Sequence, residues 1–253
     1  MELLNKTIEY YSTLAGISTE NFFTSDTPLF VRNSLLDKPL KGYGGPVDIL
    51  IFHRDGKYII SYSQRGEGFL QIFEGNGIEQ AIAAGGTKVK YYYNGNEAHS
   101  NNAVMLTEKD YPDYLDFFKS CNPGCGEVEW LHGYFSEIVQ KGRCFGIYRN
   151  GKIAAATDSP DLPVSGEHFG ENDCGENLTV KMDFAEIGIN TLPEFRRQGL
   201  AYEVCAALIS SLLSKGTIPL WSAASDNIAS RKLAEKLGFK ELMRVTEISL
   251  PLL

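Results

Sequence analysis

Apolar residues at Leu3, Leu4, Ile8, Tyr11 and Leu14 recur at helical spacing and predict a short helix over residues 3–14. Two β-prone runs, 47–52 and 58–62, flank Arg54-Asp55-Gly56-Lys57, the signal of a hairpin closed by an Asp-Gly turn. Residues 69–73 read as a further strand. Residues 78–84 read as a short helix stopped at Gly85-Gly86, and 89–93 as a strand ending at Asn94-Gly95. The glycine-rich Lys41-Gly42-Tyr43-Gly44-Gly45-Pro46 has no fixed spacing and ends in proline, so it reads as a turn or linker rather than a nucleotide loop. Tyr91-Tyr92-Tyr93 would pack on both faces of a sheet or line a pocket.

The second part of the chain begins with a short strand, 103–106. Thr107, with Asp110 three residues on, reads as a helix start with an imperfect capping box. Pro123-Gly124 breaks that helix, and a second is predicted over 127–139, with Val128, Leu131, Phe135, Ile138 and Val139 near one face. Residues 143–148 and 153–157 form a second hairpin pattern around Asn150-Gly151. Residues 158–177 read as an irregular acidic insertion with no Lys or Arg. It is either a solvated loop or an attractor for a polyamine-like cation. A long strand, 179–191, leads to a loop, a helix to about residue 215, a strand 218–223, a helix 227–237 and a closing strand 242–250. The expected class is α+β: a mixed, splayed central sheet flanked by helices. The polar stretch 94–102 suggests two domains, an N-terminal α+β unit at 1–98 and a second at 99–253.

A length of 253 residues with 43% hydrophobic and 11% aromatic content suits one large globular domain or two small ones. The net charge of −8 argues against nucleic acid or an anionic membrane as partner and suits a cationic substrate. No apolar run approaches the ~20 residues of a membrane span. Glu2, Asn5, Lys6 and Glu9 interrupt the first ten residues, so no signal peptide is expected. Five cysteines and four scattered histidines form no metal-ligand pattern; free thiols in a reducing cytoplasm, and no metal, are the expectation.

The chemistry concentrates where the long strand meets the helix. Arg196, Arg197 and Gly199 lie in the connecting loop, and from there Leu200, Val204, Ala207, Leu208, Ser211 and Leu212 take one helical face. The first turn of a helix leaves N–H groups free and carries partial positive charge, which suits a phosphate. Glycine admits an anion close to the backbone, and arginine can neutralise it.

Arg196, Gly199 and Ala201, with Pro193 upstream, form an R-x-x-G-x-A string that resembles the pyrophosphate loop of the GCN5-related N-acetyltransferases (GNAT). Asn227 opening a helix that closes on Lys236-Leu237-Gly238-Phe239 is similar to another stretch of that family. The strings Glu186–Thr191, 221–230 and 233–239 further resemble the branch that includes the zwittermicin A self-resistance acetyltransferase, whose members also carry an additional N-terminal segment. The resemblance implies an acetyl-CoA-dependent N-acetyltransferase acting on a small-molecule amine in a ternary complex, as a monomer or homodimer. Two alternatives stay open, a CoA-binding module with little or no turnover and a protein N-acetyltransferase. The two similar hairpins, at Asp55 and Asn150, admit residues 1–98 as a degenerate half of the same kind.

The resemblance also implies roles. Arg196, Arg197, Gln198, Gly199, Leu200 and Ala201 would hold the pyrophosphate. Ile189, Asn190 and Thr191 would meet the pantetheine and thioester through their backbone. Asn227 would bond the pantetheine arm, or serve as a helix cap. Trp130 and Tyr134 would flank the acceptor, or pack in the core. An ammonium must lose a proton before it can attack, and Glu186 is the candidate base, sharing a strand face with Gly188 and Asn190. Ala234 occupies the position where many family members carry a tyrosine that protonates the departing thiolate, leaving Ser222, Ser225 or water to do so.

Overall fold

The computed structural model describes all residues except 44, 96–99, 101, 165–167, 172–176, 180–182, 252 and 253; at 168–171 and 177–179 the backbone alone is described. The amphipathic N-terminal pattern folds as α1 (Glu2–Ala15), ended by Gly16 in the left-handed region, with its Tyr10, Tyr11 and Leu14 face buried. Strand β1 (Leu29–Arg32) follows. Both Asp55 and Gly56 have positive φ, which sets the tight turn joining β2 (Ile49–Arg54) to β3 (Lys57–Tyr62). After α2 (Gln64–Glu67) and α3 (Gly77–Ala84) comes β4 (Gly86–Tyr93).

Beyond it lie β5 (Val104–Met105), α4 (Tyr111–Cys121), α5 (Trp130–Gln140), β6 (Phe145–Arg149) and β7 (Lys152–Asp158). A two-stranded piece, β8 (His168–Glu171) with β9 (Asn177–Thr179), precedes β10 (Phe184–Glu186) and β11 (Gly188–Thr191). The chain closes with α6 (Leu200–Ser214), β12 (Ile218–Ala224), α7 (Ile228–Lys236) and β13 (Phe239–Ile248).

Two sheets carry the fold. The larger has the order β1-β3-β2-β13-β4-β12-β10, mixed in direction; the smaller has the order β11-β7-β6-β5 and is antiparallel. Helix α6 lies against both, burying Val204, Cys205, Leu208 and Leu212 beside Ile187, Ala155, Tyr91 and Trp221. On the opposite face α4 and α5 cover the smaller sheet through Tyr114, Phe117, Leu131 and Phe135, while α1 covers the larger one through Tyr10, Tyr11 and Leu14. Each of these fully buried side chains is worth about 1.5–3 kcal/mol relative to exposure. The expected class, a splayed mixed sheet flanked by helices, is the one observed.

Several details differ from the pattern. Residues 69–73 are not a strand. Leu70–Phe73 forms a 3-10 turn that buries Phe73 against Ile49, Ile51 and Ile60, because both edges of β3 are already taken by β1 and β2. The closing strand starts at Phe239, not 242: Lys240 and Glu241 read as polar but pair with Tyr92 and Tyr91 before a bulge. Strand β4 lies between β12 and β13, so segments on either side of the predicted boundary share one sheet and one core. That boundary, most of the acidic insertion, residues 180–182 of the predicted long strand and Cys174 lie outside the described residues or side chains.

Candidate functional site

The predicted single strand ending at Thr191 is broken. Residues 184–186 pair in parallel with 218–220 in the larger sheet, and residues 188–191 pair antiparallel with β7 in the smaller. The last rung joining β10 to β12 is the Ile187 N–H, which donates to the Leu220 carbonyl at 3.0 Å. Beyond it the edge of β11 and the edge of β12 from Trp221 to Ala224 face one another without pairing. Backbone groups on such edges must find a partner. Ile189, Asn190 and Thr191 therefore line an open, polar-edged gap.

The gap leads to the loop of the sequence motif. Pro193–Phe195 makes a 3-10 turn, and Arg197 and Gly199 then adopt φ of 62° and 82°. A side chain at Gly199 would meet nothing within 4 Å, so the backbone there is open to a bulky group, and its left-handed φ is what glycine permits. No side chain caps α6, whose first amides, residues 200–202, precede the first helical-turn bond from Glu203 N–H to Gly199. Leu200 anchors the turn in the core, while Arg196, Arg197, Gln198 and Gly199 are exposed. Arg196 Nε donates to the Thr191 carbonyl at 3.2 Å, tying loop to strand, and Gln198 Nε2 donates to the Glu194 carbonyl. The loop thus offers free amides, a helix start and two cations to an anion.

On the face opposite α6, Glu186 accepts a 2.5 Å hydrogen bond from Ser222 Oγ and lies 3.6 Å from Lys90 Nζ, itself nearly buried. Burial pushes the Glu186 pKa up, but the Lys90 charge and the Ser222 hydroxyl outweigh it and hold the carboxyl below its ordinary value. Its backbone carbonyl accepts from Ser159 Oγ at 2.7 Å.

Two residues further on, Gly188 stands in register with Asp158, the last residue of β7. The Asp158 carboxylate lies against Gly188 so closely that a Cβ there would meet Oδ1 at 1.8 Å. Tyr134 Oη, on α5, donates to Asp158 Oδ2 at 3.0 Å. Here burial dominates and raises the Asp158 pKa, and the tyrosine's hydrogen bond offsets only part of it. The sequence signals Asp158 only as the head of an acidic stretch, and Lys90 only as one residue of a β-prone run. Neither spacing nor periodicity reveals that these side chains meet the site.

Trp130 is 57% exposed and packs edge-on against Phe118 and Tyr134, at the rim of the same face. Asn227 caps α7, its Oδ1 accepting from Ser230 N–H at 3.1 Å, and it remains exposed. Ala234 is fully buried in the core beneath α7, so no acid stands there. No cluster of metal-ligating side chains exists among the described residues. The described cysteines are free. No described helix is long and apolar enough to cross a membrane.

Residues 177–245, which contain the broken strand, the loop, α6, α7 and most of β13, match the family model described as GNAT acetyltransferase. A 62-residue stretch is 42% identical to the uncharacterized N-acetyltransferase YdfB of Bacillus subtilis, covering 24% of each chain. Among solved structures, an acetyltransferase from the GNAT family of Colwellia psychrerythraea matches at 18% identity and a TM-score of 0.49, covering 65% of this chain and 56% of its own. A second GNAT-family acetyltransferase, from Novosphingobium aromaticivorans, matches at 21% identity and a TM-score of 0.46, covering 64% and 63%. The chain thus spans about a quarter of the curated relative and less than two thirds of either structure. Residues 177–245, with the strand, loop and helices built on them, are thus similar to the GNAT acetyltransferase family.

Proposed function

We propose that the protein is an N-acetyltransferase that binds acetyl-CoA and transfers its acetyl group directly to a primary amine of a small molecule in a ternary complex. The observation that carries this reading is the unpaired gap between β11 and β12, which runs to the uncapped start of α6. The amides of residues 197–201 hold the pyrophosphate, with Arg196 and Arg197 adding charge. The open edge of Ile189, Asn190 and Thr191 takes the amides of the pantetheine arm. Acetyl-CoA, when bound, supplies an activated acyl carbon at its thioester. A backbone N–H of that edge polarises the acyl oxygen, a contribution of about 3 kcal/mol in comparable sites. Asn227 keeps its Nδ2 for the arm while Oδ1 caps α7. Trp130 and Tyr134 border the acceptor. A reducing cytoplasm suits both the thiol product and the free cysteines.

The second reading, binding without turnover, draws on Ala234, where an acid for the thiolate is missing. Calorimetric titration with acetyl-CoA, on the native chain and on Gly199→Glu, tests the donor site. Binding lost in the variant, which crowds and repels the anion, is expected; a native chain that binds no CoA species would overturn the assignment. Thiol release across a panel of primary amines then separates the two readings. A protein acceptor is tested by including N-terminal peptides in the panel.

A further inference from the structure

We propose that Asp158 is the base that takes the proton from the acceptor ammonium, and that Tyr134 is its positioning residue; this rests on the acetyl-transfer reading above. The placement is geometric. Asp158 is paired with Gly188, the residue just before the open edge 189–191, so its carboxylate stands at the head of the gap. It lies on the side of the sheet away from α6, the side bordered by Trp130 and Tyr134. Gly188 carries no side chain, and that is what admits the carboxylate: any Cβ would occupy its place. Tyr134 Oη donates to Oδ2, which fixes the rotamer, and the residue's own backbone N–H is the other donor to the carboxylate, leaving it further acceptor capacity. Asp158 keeps a partly accessible surface, as a group that meets substrate must.

The alternative carboxylate on this face is differently employed. Glu186 is held by Lys90 and Ser222, so protonating it would strip an almost buried lysine of its partner. The titratable groups that feel the Asp158 charge are Tyr134 from α5, Tyr114 from α4 and Cys144 ahead of β6 on its own side, and Cys205 of α6 across the sheet. No described cation pairs with it. Two carboxylates in opposed environments, one held ionised and the other biased toward accepting a proton, divide the roles between structure and proton transfer.

The step balances as follows. An N–H bond of the ammonium breaks and its proton passes to Asp158. The freed lone pair forms the C–N bond to the acyl carbon while the C–S bond breaks, its electron pair leaving on sulfur. The nitrogen loses a second proton as the amide forms; one of the two protons ends on the thiol and the other in solvent.

Asp158→Asn keeps the size and accepts from Tyr134, so it should still bind acetyl-CoA by calorimetry. Its kcat/KM for the best amine of the panel should fall about 10²–10³-fold, and the acid limb of its pH profile should vanish. Tyr134→Phe should fall less and keep that limb, displaced upward. A second readout needs no turnover: carbon-13 titration of the Asp158 carboxyl should give a midpoint above the ordinary ~3.9, moving further up in Tyr134→Phe. A midpoint at or below that value overturns the proposal, even if Asp158→Asn fails to fold. Unchanged kcat/KM in Asp158→Asn overturns the base while leaving acetyl transfer standing. If native protein binds acetyl-CoA but acetylates no amine, the transfer reading falls, and the base with it.

Discussion

Lys90 Nζ reaches over the intervening strand β12 to within 3.6 Å of Glu186 Oε2, with Ser222 of β12 bonded to the same carboxylate. One charge comes from the N-terminal segment and the other from the broken strand beside the gap. The pair therefore ties β4 to the wall of the candidate site.

Removing the cation should be costly. Lys90→Met leaves Glu186 with the Ser222 hydroxyl and the weaker influence of the Lys88 charge, in a place where burial already works against its own charge. Because the Glu186 side chain is 30% exposed, solvent relieves part of this, and a loss of about 2 kcal/mol is expected in urea unfolding at pH 7. The sign with pH is fixed by the lowered folded pKa. Its stabilisation is present above the unfolded value and fades as pH falls through the folded one. The deficit of Lys90→Met relative to the parent should therefore be largest near neutral pH and shrink as pH falls and Glu186 is protonated in both proteins. An unchanged midpoint at every pH would mean the pair is not formed in solution.

Much of the site was readable beforehand because its signals are local. The loop with Gly199 needs a left-handed residue followed by a helix, and the string from Arg196 to Ala201 contains both requirements. Asn227 is a cap three residues ahead of Ser230, a spacing any sequence displays. What stayed hidden depends on partners far along the chain. Strand β4 enters between β12 and β13, more than a hundred residues away. The run of residues up to Thr191 is uniformly β-prone, and its break at Ile187 is imposed by two different neighbours, β12 and β7, claiming its halves. Asp158 meets Gly188 only through the register of β7 on β11.

Gly188→Ala tests that register directly. The added methyl would overlap Asp158 Oδ1 at 1.8 Å and press on its carbonyl oxygen at 3.2 Å. The carboxylate can swing away, at the cost of the Tyr134 hydrogen bond, but the backbone cannot. A destabilisation of about 1–3 kcal/mol is expected, together with a changed Asp158 titration in carbon-13 spectra. A variant as stable as the parent, with an undisturbed Asp158 resonance, would show that the two residues are not in contact.

A second acid-sensitive point lies at the start of α4. Asp110 accepts from the Thr107 N–H at 2.7 Å and from the Tyr148 hydroxyl at 2.9 Å, joining a capping box to β6. Burial is the largest single influence and raises its pKa, but the Thr107 and Tyr148 donors together outweigh it and hold the carboxyl below its ordinary value. The stabilisation is therefore complete above the unfolded pKa of ~3.9 and lost as pH falls through the folded value. Asp110→Ala should cost about 1–2 kcal/mol at pH 7, and the difference from the parent should shrink in the acid range. A penalty that stays constant down to the lowest pH measured would reject the ionised cap.

Thiol reactivity separates the cysteines by the cores they occupy. Cys144 is buried between α5 and β7, its Sγ donating to the Thr157 carbonyl at 3.1 Å, and Cys205 is buried under α6. Burial pushes both thiols well above their ordinary pKa, and the nearby Asp158 charge pushes the same way. Cys125 is exposed, and Cys121 is partly buried with its pKa also raised by burial. The thiolate is the reactive form, so among the four described cysteines a thiol-exchange reagent at pH 8 should label Cys125 first and Cys121 more slowly. Cys144 and Cys205 should react only at the rate of unfolding, and in step with it across a urea series. Peptide mapping of the labelled sites would read this out. Prompt labelling of Cys205 in the native state would contradict the packing of α6 across the two sheets, and with it the support of the loop that α6 presents to the gap.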